Sequence, residues 1–342
     1  MFRVRTILVI CFIFTLTGSS QTETPEQVTL LYYYTDHFFD TTDDPGQADD
    51  EYLPGSLRAW DEIRYREKVS GIADYIASAG GLKQPDIIGL CGIENKKVIN
   101  DIMSEKRLRR ADYTAYITDT DGTNAALVVK NDMMTVTDKK MIYIDSTFLG
   151  INNEFDYIIF YVKGNIKGLG TCHFFINDWP GFKNSTWAPE NIRMGAAIAL
   201  RKNIDEILNF ERNAKIIVMG TLCDEPTNRS LMTVLNATNK RKNLDHRDLH
   251  NLFYDAHNIN NQGTFLLNDT WLMWDQIIIS SSMINNTNDY KIDPGSGMVF
   301  IPEEVKEGKR KLESTYSGDE YTGCLSSHLP VYCIIRKRDQ QR

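Results

Sequence analysis

A mixed α and β fold is predicted by three observations. β-Branched and aromatic runs recur along the whole chain, two long segments of helical period lie between them, and the composition is that of an ordinary globular protein. Of 342 residues, 42% are hydrophobic and 25% charged, enough for one large domain or two ordinary ones. Residues 28–34 are a β-branched and aromatic run. Residues 62–78 carry Tyr65, Val69, Ile72, Ala73 and Ile76 at helical spacing on one face. Residues 86–90 read as a short buried strand, and 125–129, 157–162 and 172–176 as further strands. Pro189-Glu190 opens a second helix whose stripe is Ala197, Leu200, Ile204, Ile207 and Leu208. Strands at 216–219, 277–279 and 331–335 complete the set. The sequence shows no internal repeat and no low-complexity linker.

The N-terminus reads as a secretory signal over residues 1–20: Arg3 and Arg5, then an apolar run over 7–16, then Gly18-Ser19-Ser20. That run is short for a bilayer span, and no other apolar stretch reaches about 18 residues. The expectation is one domain over residues 21–342, exported to the periplasm or the cell exterior, and monomeric. The formal net charge is -8 and becomes more negative once Arg3 and Arg5 are removed. An acidic chain gains no long-range attraction to nucleic acid. This argues against a non-specific DNA binder and leaves room for a nuclease with a local basic or metal-filled cleft. Five cysteines remain, Cys91, Cys172, Cys223, Cys324 and Cys333, so at least one is unpaired, and their spacing holds no zinc signature.

Six acids crowd into residues 40–51: Asp40, Asp43, Asp44, Asp49, Asp50 and Glu51. The ligand spacing of an EF-hand is absent, so the segment is expected to be a solvated acidic loop. The basic cluster Lys306, Lys309, Arg310 and Lys311 reads as wet surface. Sequons at Asn184, Asn228, Asn236, Asn268 and Asn285 matter only in a host that glycosylates.

Two motifs bear on chemistry. Near the C-terminus stands Ser326-Ser327-His328-Leu329-Pro330-Val331, and further upstream Gly220-Thr221-Leu222-Cys223-Asp224-Glu225-Pro226. Other segments fall in order around them: Asp49-Asp50-Glu51-Tyr52, Arg64-Tyr65 with Lys68, Glu94-Asn95, Asn177 with Trp179-Pro180, Gly263-Thr264-Phe265, and Asp275-Gln276-Ile277. Together they resemble the endonuclease/exonuclease/phosphatase superfamily, most of all its exported Bacteroides-type members, over nearly the whole mature chain. The resemblance narrows the fold to a four-layer α/β/β/α sandwich, two packed mixed β-sheets flanked by helices, as in deoxyribonuclease-like proteins. It implies Mg²⁺-dependent phosphodiester hydrolysis. In that chemistry a carboxylate-held ion binds the phosphate, an Asp and an Asn activate water and grip the phosphate, and two histidines bind the phosphoryl oxygens.

Against that pattern the chain departs at six positions. Tyr34 stands where the family has a first-strand asparagine, and Gly92 where it has the metal-binding glutamate. Glu94 survives two residues further on, about 7 Å along the strand from the ligand position. Asp178 replaces a phosphate-binding histidine, Thr221 the water-activating aspartate, Cys223 the phosphate-gripping asparagine, and Ser327 the aspartate before the last histidine. Asn124 and Phe182 also stand where relatives often carry aspartate and arginine. The resemblance leaves Asn177, Asp275 and His328 as vestigial catalytic residues, with Asp275 and His328 as neighbours.

The expected function is therefore that of a non-catalytic binding protein on a phosphodiesterase scaffold, with no cofactor although active relatives use Mg²⁺. Its partner would be an unidentified ligand or protein, and nucleic acid only if cleft binding or activity persists. The alternative is a hydrolase of weak or reshaped activity that uses His328, Asp275 and Asp178. A further reading pairs Cys223 with His328 as a thiolate–imidazole or soft-metal site. Against it stands the use of small buried cysteines as space fillers.

Overall fold

The computed structural model of the protein describes residues 24–81, 83–144, 158–183, 186–284 and 289–338. The signal-like segment, the sequons at Asn184 and Asn285 and the Phe182 side chain lie outside the described residues. The chain runs β1 (Gln27–Phe38), α1 (Glu62–Ser78), β2 (Ile87–Ile93), α2 (Lys96–Ser104), β3 (Tyr113–Ile117), β4 (Asn124–Lys130), β5 (Met134–Tyr143), β6 (Ile158–Ile166) and β7 (Gly170–Asp178). After β8 (Phe182–Lys183) and β9 (Thr186–Trp187) come α3 (Glu190–Phe210), β10 (Lys215–Thr221), β11 (Ala237–Thr238), β12 (Leu249–Asn251) and α4 (Tyr254–Asn258). The last part holds β13 (Phe265–Leu267), β14 (Thr270–Leu272), β15 (Asp275–Ser280), β16 (Tyr290–Lys291), β17 (Met298–Val299), α5 (Glu303–Lys306), β18 (Tyr316–Ser317), β19 (Glu320–Tyr321) and β20 (Val331–Lys337).

Two large sheets organise these elements. The first has the order β16-β20-β1-β2-β4-β3, with β17 also on β20; the second has the order β11-β12-β15-β10-β7-β6-β5. Both are mixed: β1 pairs β2 in parallel and β20 antiparallel, and β10 pairs β7 in parallel and β15 antiparallel. The alternation of side chains along a strand lets β1 serve two cores at once. Leu30 and Tyr32 enter the core between the sheets, with Phe174, Ile176, Met219 and Ile277. Leu31 and Tyr33 face α1 and α2, against Val69, Ile72, Ile76 and Ile99. On the far side, α3 lays Ala197, Leu200 and Ile204 over Phe175, Val218 and Ile278. The four layers are thus α1 and α2, the first sheet, the second sheet, and α3.

The five apolar positions of 62–78 are all buried, and the helix begins where Asp61 accepts a hydrogen bond from the Arg64 N–H at 3.0 Å. Strand β5 carries no comparable apolar signal because most of its side chains face solvent at the sheet edge, Asp138, Lys139 and Lys140 among them. No helix among the described residues is long and apolar enough to cross a membrane.

The strand ends are packed to backbone contact. A Cβ on Gly220 would lie 2.4 Å from the Asn177 carbonyl oxygen and 2.6 Å from its Cβ. Gly220→Ala must therefore part β7 from β10. The expected cost is about 2–3 kcal/mol, read as a lower urea midpoint at unchanged m-value.

Candidate functional site

The motif residues converge where β1, β2, β7, β10 and β15 end beside the loop that leads into β20. His328 Nδ1 lies 2.7 Å from Asp275 Oδ2, and both residues are buried. The other carboxylate oxygen of Asp275 accepts from the Thr221 hydroxyl at 2.6 Å. Since that hydroxyl donates to Asp275, the 2.9 Å contact between Tyr32 OH and Thr221 Oγ1 has the tyrosine as donor, and Tyr32 OH accepts the Thr221 N–H at 3.0 Å. A buried relay Tyr32–Thr221–Asp275–His328 results, in which both oxygens of Asp275 are engaged. Burial works against charge on the ring, but the Asp275 carboxylate, helped by Asp36 and Asp178, lifts the pKa of His328 above its usual value.

Around this relay the ring of His328 is boxed by aromatics. Its centroid is 4.8 Å from Tyr34 and 4.9 Å from Phe265, which stacks on Trp274 at 4.3 Å. Ser326, not Ser327, fixes the loop: its hydroxyl donates to the Tyr34 carbonyl at 2.7 Å and accepts the His328 N–H at 3.0 Å. Ser327 is half-buried. Asn177 is fully buried and spent on structure, its amide donating to the Phe175 carbonyl and its oxygen accepting from Trp179 Nε1 at 3.1 Å.

At Gly92, where the resemblance implies a metal carboxylate, the backbone is bulged and closed. β1 bulges between Tyr34 and Phe38, with Asp36 and His37 at φ 57 and 49, and Gly92 answers with φ 76. A Cβ there would lie 3.2 Å from the Asp36 and His37 nitrogens and 3.3 Å from Tyr34 Cε2. Only glycine adopts this backbone cheaply, and Tyr34 fills the space a ligand would need. The bulge is held by fully buried Lys68, which donates to the Asp36 carbonyl at 2.9 Å and to Thr315 Oγ1 at 2.7 Å. Burial pushes the Lys68 amine down to about 8, with Asp36 opposing. The residues at this point do not fit a catalytic metal.

Asp178 is half-buried beside the relay. Burial pushes its carboxyl up to about 7; His328 pulls it down and Asp275 pushes it further up. Cys223 sits at φ 50 and its thiol contacts the Trp179 carbonyl at 3.3 Å, while burial and Asp178 raise its pKa well above the ordinary range. Its hydrogen bond thus goes to a main-chain carbonyl and not to His328. The described cysteines are all free. Retained Asp224 has become a structural anchor, accepting from Arg193 Nε at 2.7 Å and from the Ser230 hydroxyl at 2.6 Å.

Two sequence expectations require correction. The acidic segment is not simply solvated: Asp40 is 3% and Asp49 2% exposed. Nor does the expectation of a chain without a cofactor site stand. Among the described residues two acidic groups are close enough to share a metal ion, Asp43 with Asp49 and Asp50, and Asp44 with Asp49 and Glu94. Neither includes a cysteine or His328. Sequence reasoning looked for ligands at the motif positions and for EF-hand spacing, and these groups obey neither.

The profile of the Endonuclease/Exonuclease/phosphatase family matches residues 29–337, and the chain belongs to that family. Solved structures share the fold at low identity. A humanized D. rerio TDP2 aligns at TM-score 0.57 and 11% identity, covering 92% of this chain and 100% of its own. A Bacteroides thetaiotaomicron endonuclease/exonuclease/phosphatase family protein gives 0.55 and 15%, covering 92% and 99%. The mannosyl-6-phosphatase of the same organism gives 0.53 and 14%, covering 90% and 99%. D. rerio TDP2 has also been solved with a single-strand DNA product. Among curated proteins none matches by sequence.

Restoring the lost carboxylate is not expected to restore a metal. Gly92→Glu forces a residue with a Cβ into left-handed backbone and should lower stability by about 1–3 kcal/mol, with no rise in Tm on adding Mg²⁺ beyond that of the unmodified protein. Asp178 gives a pH signature. Its folded pKa is raised, so its stabilising contribution is complete below the unfolded value near 4 and is lost as pH rises through about 7. Asp178→Asn should flatten the fall of unfolding free energy between those pH values. At pH 8 it should gain about 1–2 kcal/mol, discounted for the solvent that reaches the group.

Proposed function

We propose that this chain is a non-catalytic member of its family that acts by binding. The observation that carries the reading is the left-handed Gly92 closed over by the β1 bulge and Tyr34. A phosphodiesterase of this kind needs a carboxylate-held ion at that point to offset charge developing on the phosphate, and the backbone there has no room for one. The relay agrees with this. A base must hold a free lone pair near its substrate, whereas both oxygens of Asp275 are spent on Thr221 and His328, and the Asp275 carboxylate, against the effect of burial, lifts the pKa of His328 above its usual value. What remains is a positively biased imidazole among aromatic rings, chemistry suited to holding a ligand. We place the protein outside the cytoplasm on the strength of its N-terminal signal pattern. Its partner is an unidentified ligand or protein, and nucleic acid belongs among the ligands to try.

A second reading is favoured by one observation, the 2.7 Å Asp275–His328 pair with Asp178 beside it. These groups could support weak or reshaped hydrolysis.

Purified full-length protein incubated with plasmid DNA, RNA and bis(p-nitrophenyl) phosphate in Mg²⁺, Mn²⁺ or Ca²⁺ separates the two. The expected result is turnover indistinguishable from that of His328→Ala. Turnover well above background that is abolished in His328→Ala overturns the binding reading and establishes the second.

A further inference from the structure

The acidic loop after β1 meets the end of β2 in an arrangement whose polar groups are incomplete. Glu94 is 3% exposed, and its Oε2 accepts the Asp40 N–H at 2.6 Å. Asp49 is 2% exposed, and its Oδ2 accepts the Asp44 N–H at 2.9 Å. Each carboxylate thus uses one oxygen to pin the loop backbone. The other oxygen of each, Glu94 Oε1 and Asp49 Oδ1, is buried with no hydrogen-bond partner. Buried polar atoms without partners are rare and costly, most of all on ionisable groups.

Nothing supplied by the surrounding side chains corrects this. Asn95 Nδ2 donates to Asp40 Oδ2 at 3.2 Å and to Asp44 Oδ2 at 3.4 Å. Lys97 reaches Asp40 at 3.4 Å and Asp101 at 3.3 Å, with half its side chain in solvent. Asp44, Asp49 and Glu94 each bring an oxygen to within 4.8 Å of the others. Two oxygens bound to one ion at 2.3–2.6 Å can be at most about 5 Å apart, and each pair among the three meets that limit.

We propose that Asp44, Asp49 and Glu94 form a binding site for a hard divalent cation of the calcium class. The donors are all oxygens, which excludes the thiol and imidazole chemistry that selects zinc or copper. They come from an irregular loop and a strand end, a flexible frame that suits the variable geometry of Ca²⁺ better than the strict octahedron of Mg²⁺. Water completes the coordination on the side where Asp44 meets solvent. The ion ties the 40–52 loop to the end of β2. That loop carries Tyr52, stacked on Phe39 at 4.2 Å, and so the ion braces the rim beside the Gly92 bulge. The site is separate from the relay at His328 and independent of whether the chain catalyses anything.

The test is thermal unfolding and calorimetric titration of the full-length protein, freed of metal with chelator, against CaCl₂ and MgCl₂. Ca²⁺ at millimolar concentration is expected to raise Tm by at least about 5 °C, with a smaller response to Mg²⁺. Glu94→Gln and Asp49→Asn keep side-chain shape, and each should weaken Ca²⁺ binding at least ten-fold. Should either fail to fold, Asp44→Asn, at the solvent edge of the site, must show the same loss. Asp43→Asn should leave binding unchanged. No heat and no shift in Tm up to 10 mM Ca²⁺ overturns the proposal, as does a response that survives all three substitutions. Loss of binding in Asp43→Asn overturns the assignment in favour of the exposed group Asp43, Asp49 and Asp50.

Discussion

The buried hydrogen-bonded relay from Tyr32 through Thr221 and Asp275 to His328 is the interaction on which the site depends. Tyr32 belongs to β1 and His328 immediately precedes β20, both of the first sheet; Thr221 ends β10 and Asp275 begins β15, both of the second. Four side chains therefore join the two sheets at this end. In low dielectric such bonds are strong, and a broken one leaves an unpaired polar group buried. The relay fixes the spacing of the sheets at this point and, with it, the ring of His328 against Tyr34 and Phe265. It also holds Asp275 in service to structure.

Thr221, Gly92 and Asp178 share this frame. Thr221 is short enough to donate to Asp275 while accepting a hydrogen bond from Tyr32 OH, a role that an aspartate beside Asp275 could not play without like-charge repulsion. Once the β1 bulge places the Asp36 and His37 nitrogens against residue 92, only glycine fits, and the bulge rests on Lys68 buried beneath it. Burial first, and Asp275 after it, push the Asp178 carboxyl up to about 7 against the pull of His328. Each substitution makes sense beside the others, as the repacking of one pocket.

The acidic loop follows a different logic. Asp49 of the loop and Glu94 from the end of β2 turn inward to accept the main-chain N–H groups of Asp44 and Asp40, which an irregular segment must satisfy somewhere. Two oxygens left over from that arrangement, Asp49 Oδ1 and Glu94 Oε1, are the basis of the proposed cation site, which is separate from the His328 relay.

Local pattern in the sequence determined a good deal. The helical period of 62–78 delivered α1 with its buried face, the apolar runs delivered the strands of both sheet centres, and the ordered motif matches delivered the family. Edge strand β5 escaped because its side chains face water and carry no apolar period. Short α2 was signalled only by Asn95, whose side chain accepts the Val98 N–H at 3.1 Å. Tertiary structure alone decided what the replacements do. That Cys223 bonds to a carbonyl and not to His328, that Gly92 is left-handed, and that Asp49 and Glu94 meet in the interior all depend on contacts between residues tens of positions apart. A sequence records which groups are present. Whether a carboxylate is solvated, paired or left with an open oxygen is set by the groups that folding brings against it.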